Sequence, residues 1–398
     1  MPRYTGGFIT LDEVIPAGKF SDSVASGVWT LQEQFMYEKA EIFPNLGNGE
    51  ATLNTSDVYK CLQYTGTASA QDINTGFNMQ TSDGLTIIRG TSEVTYFFDT
   101  LFGRGSGNNG ANSSLYSTNF MRRDGDRFTT GANQDMTTWN TNGFSVHTNY
   151  NANVNGSGIV YTTWNFLEHE DFFNMVTYTG TGSTQTISHG LSGTPGMIII
   201  KGRADGESRD WVVWHKGSGS TTQGYLTIGG TSYGRLGAQT SSTLWNNTAP
   251  TSSVFTVSGT VTGAPRISVN EIDGGVGETY DAYIFADTAG VINSGSVSHT
   301  YGSTTAVDCG FENGIDFLII KSKDADSSSG DPDFKQRWNV FDTVRGLTSG
   351  NDVSTDWSFN SPGPVSSVDR VDSASNGFVL QSGMTSGNYV YTAIAKGS

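Results

Sequence analysis

The chain has 398 residues, a formal net charge of −16 and only 15% charged residues. Because its net charge is negative and it contains no run of lysine or arginine, it would repel a phosphate backbone, which argues against nucleic-acid binding. No apolar stretch approaches the roughly 20 residues that a membrane-spanning helix needs, so we expect no membrane span.

Residues 1–50 differ in pattern from everything that follows them. Within this segment we predict one short helix at about 29–41, with Thr30 as its N-cap and Glu33 three positions later, as in a capping box. The segment either packs on the domain that follows or docks on another protein, a common role for an amphipathic helix. We predict a docking arm. Its candidate docking residues are Trp29, Leu31, Phe35 and Met36.

Behind this arm, one sequence pattern recurs three times. The openers, Tyr-Thr-Gly-Thr twice and a looser His-Thr-Tyr-Gly once, lie at 64–67, 178–181 and 299–302. A turn glycine follows each opener, at Gly76, Gly190 and Gly310, and these glycines are 114 and 120 residues apart. Solenoid repeats are ~20–50 residues long, whereas domains are ~100–150. We therefore predict three modules, which span 51–170, 171–290 and 291–398.

Short apolar or aromatic runs alternate with turn residues throughout these modules. Each module has an apolar run that ends on a base, such as 85–89, and closes on an aromatic run, such as 160–164. This spacing is typical of a sandwich or barrel. We therefore predict an all-β fold of three tandem β-sandwich modules of jelly-roll or lectin-like type. Because the first and last strands of a sandwich can pair, the pattern favours modules arranged like beads on a string.

No catalytic motif stands out in the sequence. There is no Gly-x-Ser-x-Gly elbow and no phosphate-binding loop, and the acidic stretch at 168–171 falls at a module junction, where a solvated linker explains it. His189 and His215 occupy repeat positions at which the other modules carry other residues, so we interpret them as turn or surface positions. The sequence predicts a protein that is not an enzyme and needs no cofactor.

Two features deserve comparison with metal and redox sites. Alternating oxygen donors at Asp324, Asp326 and Ser328 resemble the start of a calcium loop, but the turn glycine comes one residue late and no glutamate closes the loop. They are a weak calcium candidate, with a hydrated acidic loop as the alternative. Cys61 and Cys309 occupy different repeat positions, so we expect two buried free thiols.

Carbohydrate binding is the remaining site chemistry that the sequence suggests. Trp245 and Trp357 lie in polar, turn-rich stretches, and aromatic rings exposed in such stretches can serve as platforms for sugars. The alternative is that each ring caps a hydrophobic core. We name Trp245 and Trp357 as candidate contacts for a host surface glycan.

Several longer motifs together resemble a known group of proteins. They are 178–182, 187–191, 195–201, 211–217, 341–346 and 389–394, with the leader 25–34. In combination they are similar to tandem-repeat virion structural proteins of marine tailed bacteriophages. The first module departs most from that pattern, because Asp83-Gly84-Leu85-Thr86 replaces the Pro-Gly-Met-Ile type of entry.

The resemblance implies a concanavalin-like β-sandwich and a place in the virion, after assembly in the host cytoplasm. It favours a tail fibre or appendage that is docked by residues 1–50 and displays its modules to the host surface. Its partners would be other virion proteins and copies of itself. The resemblance implies a homo-oligomer, with a trimer as one possibility, although the sequence shows no heptad or triple-helix pattern. A capsid or collar decoration protein and a carbohydrate-binding module are the alternatives, and a glycan-degrading enzyme would need a carboxylate pair that the sequence does not show.

Overall fold

The structure is a computed structural model, and it divides the chain into two compact units, Met1–Leu53 and Asn54–Ser398. Only the second unit can be described. The described residues are 53–91, 95–101, 136–146, 154–202, 211–218, 226–228, 244–259, 267–273, 276–323, 337–347, 350, 354–357 and 368–397. The helix predicted at about 29–41 and its docking residues Trp29, Leu31, Phe35 and Met36 lie outside them.

The described part of the chain consists of antiparallel strands with two three-residue 3-10 turns, η1 and η2, and it contains no longer helix. This confirms the all-β prediction. The elements are η1 Thr55–Asp57, β1 Tyr59–Thr65, β2 Gln71–Asn74, β3 Gly84–Gly90, β4 Thr95–Asp99, β5 Met136–Asn140, β6 Gly143–Val146, β7 Val160–Leu167, β8 Phe173–Thr179, β9 Gln185–Ser188, β10 Met197–Gly202, β11 Trp211–His215, η2 Lys216–Ser218, β12 Leu226–Ile228, β13 Val254–Val257, β14 Ile272–Asp273, β15 Val276–Gly277, β16 Thr279–Phe285, β17 Ile292–His299, β18 Thr305–Asp308, β19 Ile315–Ser322, β20 Asn339–Asp342, β21 Thr355–Asp356, β22 Val371–Ala374, β23 Gly377–Leu380 and β24 Gly387–Ala395.

Three large sheets organise this unit. The first has the strand order β1-β7-β3-β4, the second β12-β11-β10-β16-β8, and the third β17-β24-β19-β20-β21. In each sheet an early strand pairs with a late one, namely β1 with β7, β8 with β16 and β17 with β24, as the sequence predicted. Strands β3, β10 and β19 lie in the interior of their sheets, and nearly all of their residues are buried, so both of their faces are covered as well. This explains their continuous apolar runs.

A small sheet covers one face of each large sheet. The small sheets are β2-β6-β5, β9-β13 and β18-β23-β22. In the first pair, Ile88 and Phe98 of the large sheet pack in one cluster with Phe144 of the small sheet. In the third pair, Leu318 packs in one cluster with Phe378 in the same way. Each large sheet thus has a core of its own on this face.

The opposite faces of the three large sheets pack against one another. Phe166 of β7 lies 5.5 Å from Phe285 of β16 and 6.1 Å from Phe317 of β19, measured between ring centroids. Phe97 of β4 lies 4.6 Å from Trp211 of β11. We call this the shared core. The beads-on-a-string arrangement predicted from the sequence is therefore wrong, because residues 54–398 form one compact unit with a common aromatic interior.

Strand direction gives each large sheet two distinct ends. At one end, which we call the joint end, β7 runs into β8 and β16 runs into β17 through the short connections 168–172 and 286–291. Here Thr55 Oγ1 also donates to the carbonyl of Ala395, so the unit begins and finishes at the joint end as well. At the other end, the loop end, hairpin connections join β3 to β4, β10 to β11 and β19 to β20.

Candidate functional site

The two tryptophans predicted to contact a glycan are buried. Trp245 is 2% exposed and Trp357 is 1% exposed. The ring of Trp357 lies in the shared core, 5.7 Å from both Phe97 and Phe317 between ring centroids. The expectation that these rings are exposed is therefore wrong, because packing by residues distant in sequence covers them. In this conformation neither ring presents a face to a sugar.

The other predicted sites have mixed outcomes. Asp324, Asp326 and Ser328, the weak calcium candidate, lie outside the described residues, and so do the four docking residues of the arm. Among the residues that the structure describes, no group of three or more His, Cys, Asp or Glu side chains could hold a metal ion. Within the same residues, no helix is long and apolar enough to cross a membrane. Both cysteines are free thiols, Cys309 buried as expected and Cys61 half-buried.

The histidines are not at surface positions. His189 does lie in a turn after β9, but it is fully buried, and its Nδ1 accepts a hydrogen bond from the backbone of Leu191. His215 ends β11 and is 1% exposed. The interpretation as turn or surface positions holds for His189, which lies in a turn, and is wrong for His215, which lies in a strand. Both rings are covered by the packing of the unit. By contrast, Glu170 at the first joint is exposed, as the linker interpretation expects.

In the described part of the chain, a buried polar side-chain contact crosses the shared core between each pair of large sheets. Each contact joins a residue of β7, β16 or β24 to the last residue of β20, β4 or β11 in another large sheet. All of the residues involved are buried. The contacts are Trp164 Nε1 to Asp342 Oδ2 at 3.0 Å, Tyr283 OH to Asp99 Oδ2 at 2.7 Å, and His215 Nε2 to Thr392 Oγ1 at 3.1 Å. A buried polar group left without its partner is costly, so these contacts fix how the sheets are placed.

The contact at Asp342 is the most elaborate of the three. Its carboxylate accepts from the Nε of Arg345 at 2.7 Å and also forms an ion pair with the same guanidinium. That guanidinium lies over the ring of Trp164, 5.1 Å from the ring centroid. The side chains of Arg345 and Asp342 are 6% and 0% exposed, so the pair is shielded from solvent. One carboxylate thus joins the first large sheet to the third.

His215 is held neutral at the interface of the second and third sheets. The backbone N–H of Gly217 donates to its Nδ1, which leaves the Nε2 hydrogen for Thr392. Burial lowers the pKa of His215 from 6.5 to about 3, because the interior disfavours the charged imidazole. The unfolded chain therefore binds a proton that the folded chain does not bind between those values. The stability contributed by neutral His215 is complete above pH 6.5 and is lost as the pH falls towards 3.

We expect the His215→Gln variant to lose less stability on acidification than the unmodified protein. At pH 5 the difference should reach about 2 kcal/mol, since each pKa unit between that pH and 6.5 corresponds to ~1.4 kcal/mol. Urea unfolding of both proteins at pH 7 and pH 5 measures it. Burial also lowers the pKa values of His189 and His299, but both residues remain in both proteins, so their contribution cancels. Equal losses in the two proteins would contradict the assignment.

Strands β3, β10 and β19 each carry a buried cation as their next-to-last residue, at Arg89, Lys201 and Lys321. Arg89 donates to Thr95 Oγ1 at 3.1 Å, and the ammonium of Lys201 lies 5.6 Å from the ring centroid of Trp211. Burial lowers the pKa of Lys321 to about 7. The bases that close the apolar runs in the sequence are therefore part of the interior and are unavailable as a surface patch.

At the loop end, a buried asparagine holds the first opener in place. Asn155 Oδ1 accepts from the backbone of Thr67 at 2.9 Å and from Gln71 Nε2 at 2.7 Å, and its Nδ2 donates to the carbonyl of Ser69 at 2.7 Å. Asn155 is 2% exposed. We call this set of contacts an asparagine clasp, because one side chain fixes both sides of the loop.

The second opener has the same clasp. Asn270 Oδ1 accepts from the backbone of Thr181 at 2.8 Å and from Gln185 Nε2 at 2.7 Å, and Asn270 Nδ2 donates to the carbonyl of Ser183 at 2.6 Å. Neither clasp was predicted from the sequence. Their signal is present, because Thr-Gly-Thr-x-Ser-x-Gln occurs at 65–71 and 179–185, and a Val-Asn pair follows before the last strand of each sheet.

We expect Asn270→Ala to destabilise the unit by about 1–3 kcal/mol, because it leaves the side chain of Gln185 and the backbone of Thr181 without their buried acceptor. Denaturant unfolding measures the change. The matched control is Asn376→Ala, which truncates an exposed asparagine and should change stability by less than about 0.5 kcal/mol. Equal effects of the two substitutions would mean that the clasp has no special weight.

The hairpin connections at the loop end differ in length, whereas the joints do not. The three connections run from 91 to 94, from 203 to 210 and from 323 to 338, so they contain 4, 8 and 16 residues. The joints 168–172 and 286–291 contain 5 and 6 residues. Loops on a rigid scaffold are the usual carriers of recognition, and these three loops occupy corresponding positions at the end opposite to the one where the unit begins and finishes. The loop end is therefore the candidate recognition surface.

Comparison with known families gives one match. A family model described as Domain of unknown function (DUF7483) matches residues 54–397, which is nearly the whole of the second unit. No curated protein matches the chain.

Proposed function

Since the chain belongs to the DUF7483 family, whose description assigns no function, we propose a role from the geometry and sequence of the chain itself. We propose that it is a non-enzymatic structural protein of a bacteriophage virion. In this proposal it is a tail fibre or appendage component. Residues 1–50 are the docking arm with the helix at about 29–41. Residues 51–170, 171–290 and 291–398 are three lectin-like β-sandwich modules that the arm presents to the host surface.

The separation of the two ends carries this proposal. The described unit begins and finishes at the joint end, where Asn54 and Gly397 are neighbours, so the arm enters there. The hairpin connections of unequal length lie at the opposite end of the sheets. This arrangement suits a protein that is attached through one end and recognises a surface through the other. Buried polar contacts between the sheets make the unit stiff enough to display its loops.

A display role also agrees with the interior chemistry. The polar residues of the shared core, Asp342, Arg345 and His215 among them, contact other side chains of the unit and are shielded from solvent. They stabilise the arrangement of the sheets and are too deeply buried to contact a substrate in this conformation. With Trp245 and Trp357 buried, host contact is proposed to fall on the loop end.

The docking role of the arm has a direct test. We expect a variant with Trp29, Leu31, Phe35 and Met36 all changed to alanine to fold in its second unit but to fall at least tenfold in abundance in purified particles. The reason is that apolar contact area drives such docking. Quantitative mass spectrometry of particles and circular dichroism of the free protein measure the two properties. The control changes Glu38 and Lys39, on the predicted polar side, and should assemble normally.

A capsid or collar decoration protein is the alternative within the same class. It would share the arm and the modules but would have no host contact at the loop end. Normal incorporation of the fourfold alanine variant would contradict docking through the arm, in a fibre and in a decoration protein alike.

A further inference from the structure

The two joints and the start of the described unit are three versions of one turn. In each turn, a backbone N–H donates a hydrogen bond to the carbonyl three residues earlier. The pairs are Val58 to Thr55 at 3.1 Å, Phe172 to His169 at 2.9 Å, and Val291 to Thr288 at 3.1 Å. A backbone carbonyl of the same turn then accepts a hydrogen bond from a backbone N–H at the end of the last strand of the same sheet. Those bonds are Leu167 to Val58 at 2.8 Å, Ala286 to Phe172 at 2.8 Å, and Ala395 to Val291 at 2.9 Å.

The third turn lies where a third joint would be. In the first two joints, the last strand of one sheet continues directly into the turn that starts the next sheet. At the third position the last strand is β24 and the turn is η1, and these are the two extremities of the unit. They are in contact, since Thr55 Oγ1 donates to the Ala395 carbonyl at 2.8 Å and Gly397 packs on Asn54 and Ser56.

The contacts through the shared core follow the same cycle. Strand register makes Trp164, Tyr283 and Thr392 equivalent, because they pair with Ile87, Ile199 and Ile319 at the centres of their sheets. It also makes Asp99, His215 and Asp342 equivalent, because they pair with Leu85, Met197 and Phe317. Each sheet provides one residue of each kind. Trp164 of the first sheet contacts Asp342 of the third. In the same way, Thr392 of the third sheet contacts His215 of the second, and Tyr283 of the second contacts Asp99 of the first.

We propose that residues 54–398 form a closed ring of three with approximate threefold symmetry, a single-chain counterpart of a homotrimer, and that the protein engages its partner as a single copy. The surfaces that three separate subunits would use against each other are already occupied within one chain. This ring takes the place of the possible trimer that the resemblance implied. The inference goes beyond the proposed function and does not depend on the particle in which the protein is found.

Light scattering coupled to size-exclusion chromatography of the full chain tests the copy number. A single copy has a mass of 42.5 kDa, and a homotrimer has three times that mass. The ring predicts the single-copy mass across a hundredfold range of protein concentration. A trimeric mass would overturn it. Presence or absence of the protein in purified particles, measured separately, bears only on the proposed function.

Circular permutation, which moves the two chain ends of the unit to another joint, tests whether the ring is closed. A permuted full-length protein would carry residues 1–53, then 171–397, joined by a short glycine linker to 54–170. If the three joints are equivalent, it should fold with a melting temperature within about 5 °C of the original. The control opens the chain after Ile199, in the middle of β10, and should fail to fold. Folding of both or of neither would contradict the equivalence of the joints.

A nicked protein tests the same claim without a folding step. A protease site inserted after the exposed Glu170 would be cleaved in the folded full chain. If the ring is closed, the fragment that ends at this site and the fragment that begins at it should elute together in native chromatography. They should separate only in denaturant. Fragments that separate in native buffer would overturn the proposal even if the permuted protein cannot be produced.

Discussion

Replacing Asp342 by alanine should destabilise the described unit by about 3–5 kcal/mol, the usual cost of removing one partner of a buried ion pair. The substitution leaves the guanidinium of Arg345, whose side chain is 6% exposed, without its carboxylate. It also leaves the indole N–H of Trp164 without its acceptor. Because these groups belong to different sheets, the loss should loosen the first sheet from the third. The midpoint of urea unfolding measures the effect.

The matched control is Asp57→Ala, which removes an exposed aspartate of the same unit and should change stability by less than about 0.5 kcal/mol. Asp342→Asn should lie between the two, since it keeps an acceptor for Trp164 but loses the charge. If Asp342→Ala were as mild as its control, the ion pair would not hold the sheets together.

Truncating Phe166 to alanine should cost about 3–5 kcal/mol, as expected for removing a fully buried phenylalanine ring. The ring lies within 6.3 Å, between centroids, of five other aromatic rings, which come from all three large sheets and the first joint. They are Tyr59, Phe172, Phe173, Phe285 and Phe317. The cavity would therefore open where the three sheets meet, and calorimetry should show all three melting together at a lower temperature.

A comparison with Tyr301→Ala separates this effect from the general loss of an aromatic ring. Tyr301 is 69% exposed, so its truncation should leave the melting temperature nearly unchanged. A Phe166→Ala protein in which only one third of the unfolding enthalpy shifts would indicate independent modules, in contradiction to the shared core.

The sequence was sufficient for the strands but not for their assembly. Apolar runs such as 197–200 and turn glycines such as Gly190 depend on local physics, namely side-chain alternation and positive φ, which is +68° at Gly190. Those signals led to the all-β prediction. The packing of sheet on sheet depends on residues more than 100 positions apart, and no local pattern encodes it. The beads-on-a-string expectation was wrong for that reason.

The site predictions show the same division. Trp357 stands between Asp356 and Ser358, so its neighbours in sequence suggest exposure, yet its ring is enclosed by Phe97, Trp164 and Phe317. Polar residues on either side of a tryptophan indicate that the local chain is near solvent. They do not indicate whether another sheet covers the tryptophan ring. The ion pair of Asp342 was missed because the residues look like an ordinary turn until Trp164 is placed beside them.

The clasps were missed for a different reason, since their residues recur in the sequence at matching positions. Gln71 and Gln185 stand six residues after Thr65 and Thr179, and each side chain donates to that threonine's carbonyl. Extending the repeat beyond its four-residue opener would have identified both glutamines. Asn155 and Asn270 are harder to identify, because they lie 84 and 85 residues further along the chain.

Gold labelling of an affinity tag at Ser398 on intact phage particles tests the proposed function most directly. The tag would follow Gly397, which lies beside Asn54 at the joint end. We expect one cluster of label at the tail or at the base of its fibres. Label spread over the capsid would make the protein a decoration protein, and particles without label or protein would contradict a place in the virion.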